Sequence, residues 1–292
     1  MVTAGVVFDR RDELLDRLRQ GPGDAARQEV MPTEAGPLPS RWTLRTIRVS
    51  VDWLADYSLS GVSRVLARHE LALRSGRVQL FSPDPAYTDK EARLLACLAE
   101  AAQYPEEVIL LFMDEMGYYR WPVAALDWMA AAPEPVRVAA CADNNKQWRI
   151  IGVLNAVTGQ VNYLDNYIVG RKVVGEMYHV IDQIYPTARH IYVVQDNWSI
   201  HAHADVLTVV DALPRIEPVW LPTYAPWLNP IEKLWRWLRQ DVLKLHRLAD
   251  DWPELQRRVN AFLDQFATGS HDLLRYVGLL GDGRLAQALR VA

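Results

Sequence analysis

In the run IYVVQDNWSIHAHADV, residues 191–206, Ile191 to Val194 form a short, unbroken apolar stretch rich in β-branched residues. That pattern predicts a strand buried on both faces. It passes through Gln195 into Asp196, and a polar stretch then leads into a helix that ends near Leu213. The same alternation continues outward. Upstream, Val108 to Met113 predicts another buried strand, ending in Asp114, and Trp148–Val157 and Gln160–Tyr167, parted by Thr158-Gly159, predict a hairpin. Residues 170–185 predict a helix with Val173, Val174, Met177, Val180, Ile181 and Ile184 on one face. Downstream, Ile216–Leu221 reads as a strand. A long helix follows from Asn229 to about Arg247, striped by Ile231, Leu234, Trp235, Leu238, Val242 and Leu245. A hairpin followed by strands alternating with helices predicts a mixed-sheet α/β domain over 106–248, with further helices over 249–292.

Ahead of this domain the composition changes. Residues 9–19 place Leu14, Leu15 and Leu18 at helical spacing among charges, and 21–40 hold Gly21, Pro22, Gly23, Pro32, Gly36, Pro37 and Pro39. Residues 1–40 therefore read as a leader helix and a linker. From Arg41 to Arg77, seven Arg face three acids, a local balance of +4 in a chain of net charge −4. Leu44, Ile47, Val51 and Leu54 have helical spacing, and Val62, Val65, Leu66 and Leu71 repeat it after a turn read at Ser58–Gly61. Two short helices with a glycine turn match a helix-turn-helix over 41–82, with Arg64 and Arg68 pointing outward and Arg74 and Arg77 following as further DNA-binding candidates. The plain alternative is a helical hairpin with a solvated basic face. Residues 83–105 then read as a connecting helix.

With 50% hydrophobic and 23% charged residues, the chain is not predominantly disordered. No apolar run approaches the ~20 residues that span a bilayer, so no membrane partner is expected. Charges at Asp9, Arg10 and Arg11 interrupt any signal-peptide core, and Cys97 and Cys141 are too few for a disulfide framework, so the expected compartment is the cytoplasm. The nucleophile elbow, the Walker phosphate loop and the dinucleotide glycine fingerprint are all missing, so no organic cofactor is expected.

Asp114 and Asp196 each follow a buried strand, where sites of α/β proteins lie. Either alone reads more simply as a turn former or helix cap. Glu232 also has a structural reading: with Asn229 three residues before it and Pro230 between, it matches a capping box. Against that, the 35 residues between Asp196 and Glu232 hold one helix, one strand and one loop, enough to return the chain to the same sheet end. Three converging carboxylates would hold hard divalent cations, Mg²⁺ or Mn²⁺ rather than zinc. Two ions about 3.5–4 Å apart suit phosphodiester chemistry. His201 and His203 offer a competing His-Ala-His metal reading, which has no Cys and no third nearby His to complete a structural zinc site. Lys233 and Arg236 lie off the apolar stripe and are candidates for phosphate contacts, or else part of a solvated basic face.

The runs LLFMDEMGYYRWP (110–122), IYVVQDNWSIHAHADV (191–206) and PVWLPTYAPWLNPIEKLWRWLR (218–239) resemble the three catalytic blocks of DDE transposases of the bacterial insertion-sequence branch of the Tc/mariner superfamily. The resemblance covers roughly Arg41 to Arg247. Asn197 and His201 match the Asp-Asn block, and Pro222, Tyr224, Pro226, Leu228, Asn229, Pro230, Ile231 and Glu232 match the Pro-x-Tyr-x-Pro-x-Leu-Asn-Pro-Ile-Glu loop. One helix-turn-helix is readable where family members usually carry two. The resemblance implies a ribonuclease H-like core, with Asp114, Asp196 and Glu232 as the metal-binding triad. Asn197, His201 and Asn229 would support these ligands from behind. The implied activity is cleavage of double-stranded DNA at element ends and strand transfer to a target, with TA as the target dinucleotide. Because two ends must meet, a homodimer on DNA is expected. Two rival readings are a decayed or domesticated transposase that only binds DNA, and a nuclease on the same fold that hydrolyses without joining.

Overall fold

The computed structural model describes residues 4–20, 41–73, 81–125, 137–140 and 143–290. The linker at 21–40, Arg74, Arg77 and Cys141 lie outside them. Packing divides the chain into two units, Met1–Val78 and Gln79–Ala292.

The first unit holds α1 (Ala4–Gln20), α2 (Leu44–Ser50) and α3 (Leu59–Arg68), with a 3₁₀ turn at Asp52–Leu54 between the last two. Thr43 and Thr46 form a reciprocal capping box that starts α2, and the Ser58 hydroxyl accepts from Gly61 N–H to start α3. The Ser58–Gly61 signal thus marks a helix cap, and the turn lies just before it. Leu14 of α1, Ile47, Val51, Leu54, Val62, Val65 and Leu66 share one apolar cluster. The Trp42 indole N–H donates to the Leu18 carbonyl. The helix read as a leader is therefore part of this unit's core, because its single apolar stripe needs a surface to bury against. Arg64 and Arg68 stand exposed on α3.

The second unit is built on a five-stranded sheet of order β3-β2-β1-β4-β5: β1 (Val108–Tyr119), β2 (Gln147–Asn155), β3 (Val161–Asn166), β4 (His190–Gln195) and β5 (Ile216–Trp220). β1, β2 and β3 pair antiparallel, while β1, β4 and β5 pair parallel. This is the mixed sheet expected. Its helices are α4 (Tyr87–Gln103), α5 (Arg171–Ile184), α6 (Ala204–Asp211), α7 (Ile231–Leu238), α8 (Trp252–Asp264), α9 (His271–Val277) and α10 (Arg284–Ala288). The two-residue period of β1 sorts its side chains between two cores. Leu110 and Phe112 meet Leu98 of α4, Trp235 of α7 and Leu255 of α8 on one face. Ile109, Leu111 and Met113 meet Met177 and Ile181 of α5 and Val206 of α6 on the other. Among the described residues no helix is long and apolar enough to cross a membrane.

Three expectations are corrected by packing. The helix expected as a connector, α4, buries Leu94, Cys97, Leu98 and Ala101 against the sheet and is a layer of the domain. The C-terminal helices likewise complete that face. The long helix expected to reach Arg247 ends at Leu238 and continues only as a π turn, Arg239–Leu243. Beyond it the backbone leaves the helix because Val123 competes for it: Val123 N–H donates to Leu243 O, and Leu245 N–H donates to Val123 O.

Candidate active site

β1 runs well past the expected end at Met113. Its parallel pairing with β4 stops at Phe112 and Val194, whereas its pairing with β2 continues through Asp114 and Gly152 to Tyr119. Asp114 therefore lies inside a strand, at the point where the neighbour on one side has turned away. Asp196 is the first residue beyond β4, at that same opening. After β5 the chain passes Pro222, Thr223 and Tyr224, makes a 3₁₀ turn at Pro226–Leu228, and enters α7 with Glu232 in its first turn. Asp114, Asp196 and Glu232 all line one open cleft of ≈ 520 Å³, beside Asn197, Tyr224 and Asn229.

The cleft concentrates negative charge. Burial pushes the Asp114 carboxyl up to about 8, and the charges of Glu232, Glu115 and Asp196 add to it. Burial also raises Glu232, with Asp196 adding to the effect while Arg239 and Arg236 oppose it. Asp196 is held below the usual carboxylate range by its hydrogen bond with His201. The His201 side chain is fully buried; its Nε2–H donates to Glu115 Oε1 at 2.9 Å, and its Nδ1–H faces Asp196 Oδ1 at 3.3 Å. Burial disfavours the imidazolium, but the hydrogen bonds it donates to Asp196 and Glu115 prevail and push it up to about 10.

Glu115 is a contributor that the sequence reading did not single out. Its only signal is position: neighbours in a strand face opposite sides, so the residue after Asp114 must meet the α5–α6 side. The capping-box reading of Glu232 is corrected. The α7 start carries no side-chain cap, because the Asn229 side chain turns away and donates from Nδ2 to Met113 O, leaving its buried Oδ1 without a partner among the described residues. Asn197 ties down a loop: its Nδ2–H donates to Leu221 O at 2.7 Å. Lys233 is not a free surface cation. Its Nζ donates to Val277 O at 2.7 Å and caps α9, and burial lowers its pKa. Arg236 and Arg239 are exposed near Glu232. The His-Ala-His reading fails, since His203 instead caps α6 by accepting from Asp205 N–H.

The donor set fits a hard divalent cation: three oxygen-bearing acids facing one cleft, one of them raised chiefly by burial with like charge adding to it, beside an orphaned amide oxygen. As they stand, no three His, Cys, Asp or Glu side chains among the described residues are close enough together to hold a metal ion. An ion would have to draw the carboxylates inward.

Comparison with known proteins agrees with this architecture. A family described as DDE superfamily endonuclease matches residues 109–256. The insertion element IS630 uncharacterized 39 kDa protein of Shigella sonnei is 23% identical over 268 residues, covering 90% of this chain and 73% of that protein. The Mos1 mariner paired end complex with Mn superposes with a TM-score of 0.57 at 15% identity, over 96% of this chain and 84% of that one. The Mos1 strand transfer complex gives 0.56 at 14% identity, over 88% and 79%. The mixed sheet is thus of the kind found in the ribonuclease H-like domain of those transposases.

Proposed function

We propose, from the premise that this chain belongs to the DDE superfamily of endonucleases, that it is a Tc/mariner-type transposase of an IS630-like insertion element. It cuts double-stranded DNA at the element's ends and joins those ends to target DNA, for which its branch implies TA. The observation that carries this reading is the meeting of Asp114, Asp196 and Glu232, from three separate elements, on one cleft where β1 and β4 part. The Mos1 relatives solved with Mn and with Mg support a divalent cofactor, and we assign two ions to the site.

Asp114, Asp196 and Glu232 are the residues that would hold the metal. When bound, two such ions activate an attacking oxygen and stabilise the leaving one. The chain's own contribution is positioning. His201 holds Asp196 and Glu115 apart while hydrogen-bonded to both, Asn197 fastens the β4 end to the strand end at Leu221, and Asn229 ties the α7 entry to Met113. Water first releases a 3′-OH, which then attacks the target phosphodiester; bonds to phosphorus are exchanged one for one, with no covalent enzyme intermediate. Exposed Arg236 and Arg239 supply positive charge at the rim for the DNA backbone.

We assign the first unit to end recognition as a helix-turn-helix and expect two chains on paired ends. Purified protein incubated with Mg²⁺ and the DNA flanking its own gene should yield cleaved and joined products. Asp114→Asn, Asp196→Asn and Glu232→Gln should each reduce both to background while leaving DNA binding intact. Retained cleavage in any one variant would contradict the site. Cut ends without joined products would leave a hydrolytic nuclease.

A further inference from the structure

We infer that Trp235 is a positioning residue for the Asp114 carboxylate, and that Gly152 is glycine so that the indole can reach it. The inference rests on reading Asp114 as a cation ligand.

By spacing alone Trp235 belongs to the apolar stripe of α7, and it is fully buried among the core residues of that face. Its ring nitrogen, however, is spent on the cleft: Nε1–H donates to Asp114 Oδ2 at 2.9 Å. A buried indole needs an acceptor. Here the acceptor is a side chain that the proposed chemistry uses.

Gly152 makes this contact possible. It is the cross-strand partner of Asp114, so both residues face the same side of the sheet. A Cβ on Gly152 would come within 2.8 Å of Trp235 Cη2 and 3.2 Å of its Cζ2. Any side chain at 152 would therefore displace the ring that carries the donor. Glycine inside a strand weakens it and often marks a close approach, and here the indole is what approaches.

The donor's chemistry suits the task. An indole N–H cannot accept and carries no charge, so it fixes the carboxylate without competing for the cation as Lys or Arg would. It occupies one of about four lone-pair directions of the carboxylate and leaves the rest to the cleft. Trp235 also lies three residues beyond Glu232, on the same side of α7. A single helical turn thus carries one proposed ligand and orients another, so that the Asp114–Glu232 separation is set by where α7 docks.

The test is Mn²⁺ binding to the full-length chain, followed by electron paramagnetic resonance of the free ion. Trp235→Phe keeps an aromatic ring and removes the donor; it should weaken Mn²⁺ binding by about 10-fold or more, the usual effect of losing a ligand's hydrogen-bond partner. Gly152→Ala keeps the donor but displaces it and should show a comparable loss, and the double variant should be no weaker than Trp235→Phe alone. Thermal unfolding and DNA binding close to wild type would confirm that the loss is local. Wild-type Mn²⁺ affinity in Trp235→Phe, with Asp114→Asn impaired, overturns the role of Trp235 and leaves the site reading standing. Wild-type affinity in Asp114→Asn as well overturns both.

Discussion

Asp84 shows how one residue outside the cleft can govern its shape. Its carboxylate accepts from Lys90 Nζ at 2.8 Å, from Thr223 N–H at 2.9 Å and from Ala86 N–H at 2.9 Å. It thereby fastens the start of α4 to the loop that brings Thr223 and Tyr224 to the site. That loop needs holding, because Tyr224 sits at φ 54°, a conformation non-glycine residues rarely adopt. The hydrogen bond from Lys90, then those from Thr223 and Ala86, keep the Asp84 carboxyl well below the usual range. A lowered folded-state pKa means the contribution is complete above the unfolded value, near 3.9, and is lost as pH falls through the folded value. Asp84→Asn should therefore be less stable than wild type at pH 7 in urea unfolding. The gap should stay constant above about pH 5 and narrow below about pH 4; a gap that widened on acidification would refute the anchor.

The elements are joined by close backbone approaches. The hairpin between β2 and β3 turns at Thr158-Gly159, where Asn155 Oδ1 accepts from Val157 and Thr158 N–H and Gly159 adopts φ 70°. This turn docks on the bend between α8 and α9. Ser270 N–H donates to Thr158 O, and Gly269, at φ 92°, faces the same carbonyl. A Cβ on Gly159 would meet the Ser270 carbonyl oxygen and the Leu274 side chain. Gly159→Ala combines a left-handed alanine with overpacking and should cost about 2 kcal/mol or more. The expected sign in a urea titration is a lower midpoint at unchanged slope. A loss under about 1 kcal/mol would mean that the hairpin and helices can slide apart. The π turn after α7 belongs to the same scale: it closes the helix that bears Glu232 and frees Lys244 to bridge Val123.

Across the whole molecule, charge is divided unevenly. The chain carries a net −4, yet residues 41–77 hold seven Arg against three acids, and the large unit's cleft is lined by carboxylates. Sequence-independent attraction to DNA should therefore come chiefly from the first unit and from the basic rim near Glu232. Each phosphate contact contributes about −0.9 to the slope of log K against log salt on duplex DNA. Replacing Arg64 and Arg68 together with Ala should make that slope shallower by about 1.8 if both meet phosphate. Salt titrations of binding by fluorescence anisotropy would check this; an unchanged slope returns α3 to a solvated basic face. Asp114→Asn, Asp196→Asn and Glu232→Gln should each leave the slope as it is.

Local periodicity is enough to read the kinds and order of most elements, because it records whether a strand or helix face is buried, and the three acids to watch stand out by their places at the ends of those elements. The sequence also supplied the block spacing by which the family was legible. Tertiary structure alone decided what those residues touch. The sequence placed Asp114 beyond a strand, but pairing with β2 keeps it inside one and turns Glu115 to the other face. Glu232 fits a capping box in one dimension, yet Asn229 is drawn away by a carbonyl 116 residues distant. Lys233 reads as a free cation until the Val277 carbonyl, 44 residues on, accepts its Nζ–H. Trp235 reads as core until Asp114, 121 residues before it, accepts its N–H. Such pairs leave no trace in a short window of sequence: their energy comes from partners that only the folded chain brings within hydrogen-bond range.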